Sequence, residues 1–119
     1  MTECLVCKHH LTIESLSCEK CKMTYNSTFS FPRLARLSQE EQKLAESLIL
    51  HGGNLKTMAE TLDVSYPTLK KRLNELSSSL KKKQKEDERQ IEDILYAIES
   101  KEISAEEGIK LIREINGEI

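Results

Sequence analysis

Residues 53–76 decide the fold, and they read GNLKTMAETLDVSYPTLKKRLNEL. Apolar residues recur at helical spacing on both sides of an interruption at residues 63–65: Leu55, Met58, Ala59 and Leu62 precede it, and Leu69, Leu73 and Leu76 follow it. Ala59 is small enough for a second helix to pass close by, Val64 can fill the corner, and Ser65 followed by Pro67 is typical of a helix start. The stretch therefore predicts a helix-turn-helix.

One more helix is predicted before this motif. Ser38 and Glu41 have the spacing of a capping box, and the Gly52-Gly53 pair predicts a left-handed end to the helix. Asn54 is then placed to cap the next helix. The buried stripe of the first helix is predicted to consist of Leu44, Ala45, Leu48 and Ile49. Three short helices in a row make the smallest trihelical helix-turn-helix core, in which the third helix is the recognition helix that contacts DNA.

The outer face of the third helix carries the candidate DNA-binding residues. They are Ser65, Tyr66, Pro67, Lys70, Lys71 and Asn74, with Arg72 to one side. Lysine and arginine suit phosphates and guanine edges, asparagine and serine can hydrogen-bond bases or backbone, and a tyrosine can stack. Arg33 and Arg36 lie in a packed joint, residues 29–37, and either touch phosphates or are solvated beside the joint.

This motif resembles the Fis-type helix-turn-helix found at the C-terminus of many bacterial activators. The resemblance rests on Gly53-Asn54, Ala59, Leu62, Val64-Ser65 and the run from Thr68 to Leu73. It implies DNA binding. One position departs from the pattern, because Asp63 stands where DNA-binding versions often have glycine; aspartate tolerates a left-handed conformation better than most residues, but its charge opposes contact with DNA.

All four cysteines lie within residues 1–32, as the pairs Cys4/Cys7 and Cys18/Cys21. Two residues between cysteines allow one turn to present both sulfurs to an ion, and two such knuckles complete a tetrahedral thiolate shell that suits Zn²⁺. A closed shell predicts one structural, non-catalytic zinc ion. Iron in the same cage and a pair of disulfides remain as alternatives. His9 and His10 are expected to be exposed loop residues, because four thiolates already satisfy the ion.

A module of 32 residues buries too little apolar surface to fold unaided, so the metal is expected to supply folding free energy. Little helix is expected before Pro32. Taken together, the cysteine knuckles, the joint Phe-Pro-Arg-Leu-Ala-Arg-Leu-Ser and the helix-turn-helix resemble a bacterial family of zinc-ribbon proteins long catalogued as a domain of unknown function.

Charge changes sign along the chain. Residues 1–32 are neutral, residues 33–85 have eleven lysines or arginines against six acids, a net charge of +5, and residues 86–119 have a net charge of −7. The basic middle is where a polyanion would be met. Residues 81–90 lack an apolar stripe and are either an exposed extension of the helix or a linker.

The C-terminal segment predicts a helical hairpin. Ile91, Ile94, Leu95 and Ile98 form one stripe, and a second helix begins at Ser104 with Glu107 as its capping partner; its apolar residues are Ile103, Ile109, Leu111, Ile112 and Ile115. The run 94–112 resembles the short bacterial hairpins of the SHOCT kind, which implies oligomerisation. Such a hairpin exposes more apolar surface than it covers, so it should pack on the body of the protein or on another copy.

The sequence thus predicts a mainly α protein with four segments: a zinc ribbon of short β hairpins at 1–32, a helix-turn-helix at 33–80, a charged connector at 81–90 and an oligomerising hairpin at 91–119. No secretory or membrane-spanning stretch is evident, so a cytoplasmic location is expected. The predicted function is a regulator of transcription that binds double-stranded DNA; a protein-interaction adaptor of the transcription machinery is the alternative. Neither an enzyme nor a small-molecule substrate is expected, because no nucleophile and base, open metal site or phosphate loop is present.

Overall fold

The computed structural model describes residues 2–116. Met1 and residues 117–119, at the predicted ends of the ribbon and of the hairpin, lie outside the described residues. The elements are β1 (Thr12–Ser17), β2 (Thr24–Ser30), a 3-10 turn (Arg33–Arg36), α1 (Gln39–Leu50), α2 (Leu55–Leu62), α3 (Tyr66–Glu99) and α4 (Ala105–Ile115). The predicted mainly α fold with a short N-terminal β hairpin is confirmed, and no helix precedes Pro32 among these residues.

The chain divides into two compact units, and α3 contributes residues to both. One unit holds residues 33–85, and the other holds the described residues of 1–32 and 86–119. α3 runs without a break through residues 81–90. The helix extension, and not the linker, is therefore the correct interpretation of that charged segment.

Local signals set the helix limits in the 33–85 unit as predicted. Ser38 Oγ accepts a hydrogen bond from the Glu41 amide at 3.2 Å, and the Glu41 carboxylate accepts one from the Ser38 amide at 3.2 Å, which completes the capping box. Gly52 and Gly53 have φ values of +60° and +79°, where a side chain would be strained. The Asn54 side chain accepts from the Thr57 amide at 3.3 Å and caps α2.

The turn of the helix-turn-helix is left-handed at Asp63. Its φ and ψ are 53° and 47°, and it is the residue on which α2 ends. Aspartate enters this region more readily than most residues with a side chain, as the sequence argument required. Ser65 Oγ then accepts from the Thr68 amide at 3.3 Å and caps the start of α3.

The core of this unit consists of Met58, Ala59 and Leu69, all buried. The half-buried residues packed against it come from all three helices and the turn: Leu44, Leu48, Leu55, Val64 and Leu73. The prediction that Ile49 joins the buried stripe is wrong, since its side chain is 73% exposed. Ile49 lies one residue after Leu48, about 100° further round the helix, and so points away from the core.

His51 ties the end of α1 to α2. Its Nδ1 lies 2.6 Å from the Ser47 carbonyl oxygen, one turn back on α1, and its Nε2 lies 3.2 Å from the Thr61 hydroxyl on α2. The same side chain therefore closes α1 and fixes the neighbouring helix beside it.

In the other unit, β1 and β2 form a two-stranded antiparallel sheet. Ile13 pairs with Phe29 and Leu16 with Tyr25, and the register shifts between these pairs. One residue lies between Ile13 and Ser15 on β1 while two lie between Asn26 and Phe29 on β2, so the extra residue of this bulge is on β2.

α4 packs on β2 and on the C-terminal part of α3. The Ser30 hydroxyl on β2 donates to the Glu114 carbonyl on α4. Gly108 is buried, and a Cβ there would collide with the Ile98 side chain of α3. Ser104 Oγ caps α4 by accepting from the Glu107 amide at 3.2 Å. Of the two coverings predicted for the hairpin, the structure shows packing on the body of its own chain.

Within residues 2–116, no helix combines the length and the apolar character that crossing a bilayer requires.

Candidate nucleic-acid interface and cysteine pairs

The exposed face of α3 forms a shallow groove at the predicted reading positions. Pro67, Lys70, Lys71 and Asn74 line it together with Glu75 and Ser78. All six side chains are exposed. Four of the predicted DNA-binding residues are thus brought together on one surface that offers two cations, one carboxylate, an amide and a hydroxyl. Lysines supply point charges for phosphates, and an asparagine can pair with the edge of an adenine.

Ser65 and Tyr66 line a different groove, at the turn between α2 and α3. They share it with Lys56, Glu60 and Asp63. The Ser65 hydroxyl donates to the Thr68 hydroxyl at 2.7 Å and accepts from the Thr68 amide, so both of its hydrogen bonds stabilise the start of α3. Two acids beside one lysine make this groove less suited to a polyanion than the groove at Lys70 and Lys71.

Arg72 lies apart from both sets. It lines a groove with three acids, Glu40, Glu41 and Glu75, and with leucines of all three helices. Arg33 and Arg36 form the 3-10 turn, are half-buried and interact with other groups. The structure therefore does not gather these three arginines with the lysines of the α3 groove.

Glu41 connects the start of α1 to α3. Burial raises the pKa of its carboxyl, but hydrogen bonds from the Ser38 amide and from the Ser79 and Ser38 hydroxyls, together with the charge of Lys83, outweigh burial and leave that pKa below its ordinary value. Lys83 is accordingly directed toward α1, away from the exposed groove of α3.

The two cysteine pairs form the same turn twice. The Cys4 amide donates to the His9 carbonyl at 2.8 Å and the Lys8 amide to the Cys4 carbonyl at 3.0 Å; the Cys18 amide donates to Met23 and the Lys22 amide to Cys18, both at 2.8 Å. Lys8 and Lys22 have matching left-handed φ values of 62° and 63°. The Glu3–His10 bridge closes the first knuckle, and the second connects β1 to β2.

Backbone amides surround one sulfur of each pair. The Cys7 amide is the main cause of the lowered pKa of the Cys4 thiol; the Val6 amide, 3.4 Å from Sγ, and the Cys7 thiol act in the same direction, while burial opposes them. The Cys18 thiol also has a lowered pKa, first because of the Cys21 amide and then because of the Lys20 amide and the Cys21 thiol. Amide donors stabilise a thiolate, which is the form that binds metals.

The four cysteines supply the donor atoms of a thiolate-bound ion, as two separate pairs. Cys7 and Cys21 are exposed, Cys4 and Cys18 are half-buried, and all four thiols are free. Among residues 2–116, no group of three or more His, Cys, Asp or Glu side chains is arranged to hold a metal. His9 is exposed as expected, whereas His10 is half-buried, and its Nδ1 has no hydrogen-bond partner in the described part of the chain.

Sequence reasoning missed the continuation of the α3 face. Glu75 and Ser78 complete the groove; Lys81 follows Ser78 by three residues, and Lys85 follows Lys81 by four. The signal was present in the lysine spacing. It could be read only with the knowledge that the helix does not end near residue 80.

A known protein family matches part of the helical region of the chain. Residues 37–83 match the family described as "Domain of unknown function (DUF2089)-HTH". These residues are similar to a helix-turn-helix family of unknown function, which agrees with the trihelical geometry. The match spans less than half of the chain and does not include the cysteine pairs or α4. No curated protein and no solved structure matches the chain.

Proposed function

We propose that this protein is a DNA-binding regulator of transcription that reads double-stranded DNA with the exposed face of α3. The observation that carries the proposal is the groove of Lys70, Lys71 and Asn74 on the third helix of a helix-turn-helix. In such units the third helix enters the major groove and its N-terminal residues contact base edges. Lys70 and Lys71 would bind phosphates or guanine, and Asn74 would bind a base edge.

A salt titration of DNA affinity tests this proposal. The full-length protein is titrated against labelled genomic duplexes at several salt concentrations, and the affinity should fall with salt, because each neutralised phosphate releases counterions. The Lys70→Gln, Lys71→Gln double variant should bind more weakly. Its slope of log affinity against log salt should be shallower than that of the wild type by about 2. A matched variant, Lys43→Gln with Lys110→Gln, removes the same charge from α1 and α4 and should retain the slope. Weak, salt-independent binding to every duplex would contradict the proposal.

One structural Zn²⁺ held by Cys4, Cys7, Cys18 and Cys21 is part of the same proposal. Its support is the paired thiols and the amide donors that favour the thiolate in each pair. The ion would join the two cysteine pairs and stabilise the small sheet, with no catalytic role. Metal analysis of the purified protein should find one zinc per chain, and a Cys4→Ser, Cys7→Ser variant should lose it; iron in its place would alter the assignment.

Self-association through the C-terminal hairpin also belongs to the proposal. Leu95 and Tyr96 remain 52% and 68% exposed on α3 although α4 covers another side of it. A second copy of the chain would cover these two side chains and would bring two recognition helices to DNA half-sites about 34 Å apart. Sedimentation should show an oligomer that Leu95→Lys with Tyr96→Lys converts to a monomer; an unchanged mass would place the interface elsewhere.

A protein-interaction adaptor is the second candidate, and the knuckle tip favours it. Leu5 and Val6 are 72% and 92% exposed between the first two cysteines, where a protein partner could cover them. The adaptor function would persist in the Lys70→Gln, Lys71→Gln variant and would be lost in Leu5→Ser with Val6→Ser. The DNA-binding function predicts the opposite pattern. Both candidates are binding functions, and neither involves catalysis.

A further inference from the structure

The exposed face of α3 carries a basic stripe that continues well past the reading groove. Lys70, Asn74, Ser78, Lys81 and Lys85 follow one another at spacings of four, four, three and four residues, which keeps them on one side of a helix. Lys82, four residues after Ser78, completes the stripe; all six residues are exposed, and α3 is uninterrupted through them. At 1.5 Å per residue the stripe from Lys70 to Lys85 is about 22 Å long.

The charge of α3 reverses where this stripe ends. From residue 66 to residue 85 the helix has seven lysines or arginines and one acid, Glu75. From residue 86 to residue 99 it has six acids and one arginine, Arg89. The same helix that presents cations to a polyanion thus repels one from Glu86 onward.

We infer that Lys81, Lys82 and Lys85 bind phosphates of the same DNA duplex that the Lys70 groove reads, and that the acids from Glu86 onward end the contact. This inference rests on the proposed function. A helix whose first turns lie in the major groove does not follow the groove as it winds round the duplex, so its later turns meet the phosphates that border the groove. Lysines there position the protein on the duplex and carry no sequence information.

Lys83 provides an internal control for this inference. It lies two residues from both Lys81 and Lys85, about 200° round the helix, and it is half-buried toward the Glu41 carboxylate. Neutralising Lys83 changes the net charge of the segment as much as neutralising Lys81 does. The Lys83 substitution, however, removes no charge from the stripe, because Lys83 lies on another side of the helix.

The test measures the salt dependence of binding of the full-length protein to a 30-bp duplex, about three helical turns. The variants are Lys81→Gln, Lys82→Gln, Lys85→Gln, the triple of these, and Lys83→Gln. Each stripe variant should make the slope of log affinity against log salt shallower by about 0.9, and the triple by about 2 to 3. Lys83→Gln should leave the slope unchanged. Glutamine and lysine have similar helix propensities, so α3 should keep its helicity by circular dichroism.

The outcomes separate this inference from the proposed function. If the Lys70→Gln, Lys71→Gln variant has a shallower slope while the triple matches the wild type, the inference is overturned and the proposed function stands. If Lys83→Gln lowers the slope as much as Lys81→Gln, the effect is one of net charge, which also overturns it. A Lys81→Arg, Lys82→Arg, Lys85→Arg variant keeps the charges and should keep the slope, which excludes helix disruption as the cause. Absence of binding by the wild type contradicts the proposed function itself.

Discussion

The two units of this protein are stabilised in different ways. Every buried apolar side chain among the described residues belongs to the 33–85 unit: Leu37, Met58, Ala59, Leu69 and Leu76. In the other unit, Leu16 and Tyr25 pair across the sheet but stay exposed, and the buried positions in its described part are Asp87 and Gly108. The helix-turn-helix has a core of its own, whereas the β hairpin and α4 have partly covered surfaces, which is the situation in which a small module depends on a metal.

Treatment with a metal chelator should have the largest effect on the difference in stability between the two units. If zinc joins the cysteine pairs, chelation should unfold the ribbon, since structural zinc contributes on the order of 10 kcal/mol of apparent binding free energy in small modules. Hydrogen exchange of the full chain should then show lost protection in residues 2–32 and retained protection in α1 and α2. Equal loss in both units would show that the helix-turn-helix core does not suffice alone.

Truncating the core of the helix-turn-helix is the converse experiment. Leu69→Ala removes a fully buried side chain and should lower the free energy of unfolding by about 2–5 kcal/mol, because transfer and cavity costs add. Hydrogen exchange should show the loss in α1, α2 and the start of α3. Leu50→Ala is the matched change at a side chain that is 77% exposed, and it should cost under about 0.5 kcal/mol. A comparable loss in both variants would contradict the assignment of the core.

The contact between α4 and α3 can be tested at Gly108. Gly108→Val places a branched side chain where the Ile98 side chain lies, so the unit of β1, β2 and α4 should lose about 1–3 kcal/mol by overpacking. Relaxing the contact with Ile98→Ala in the same chain should recover part of the loss, as measured by a double-mutant cycle in thermal unfolding. Purely additive effects would mean that the two positions do not touch.

The smallest expected effect concerns the pH dependence of the 33–85 unit. The pKa of Glu41 is lowered in the folded state, so its carboxylate stabilises the fold above its unfolded pKa, and that contribution is lost as the pH falls through the folded pKa. Glu41→Gln should therefore destabilise the protein at neutral pH by at most about 1 kcal/mol, and the difference from the wild type should vanish in acid. Denaturant unfolding at neutral and acid pH measures this. A constant difference would exclude the carboxylate charge as the cause.

Short-range signals were predictable from the sequence, and long-range packing was not. Ser38 with Glu41, Asn54 and Gly52 each act within a few residues, so the limits of α1 and α2 could be read directly. Helical spacing wrongly predicted that Ile49 is buried. The spacing shows which residues share a face of α1, but it does not show where the neighbouring helices contact that face.

Two further features needed the structure. Residues 81–90 have no apolar stripe, so nothing local distinguished a helix from a linker, and the extent of the basic stripe followed only from the unbroken α3. The hydrogen bond from Ser30 to Glu114 joins residues 84 positions apart, for which the sequence has no local signal. The metal-ligand candidates, in contrast, were evident from cysteine spacing alone.

The repeated knuckle has a kinetic consequence. Each turn closes within six consecutive residues, Cys4–His9 and Cys18–Met23, through the same two backbone hydrogen bonds. Loops this short close in well under about a microsecond, so both thiol pairs can take shape before any distant contact forms. If the proposed zinc ion binds one pair first, a second pair that has already formed its turn would complete the thiolate shell. Binding of the proposed ion would then require the encounter of two preformed turns and not of four separate cysteines.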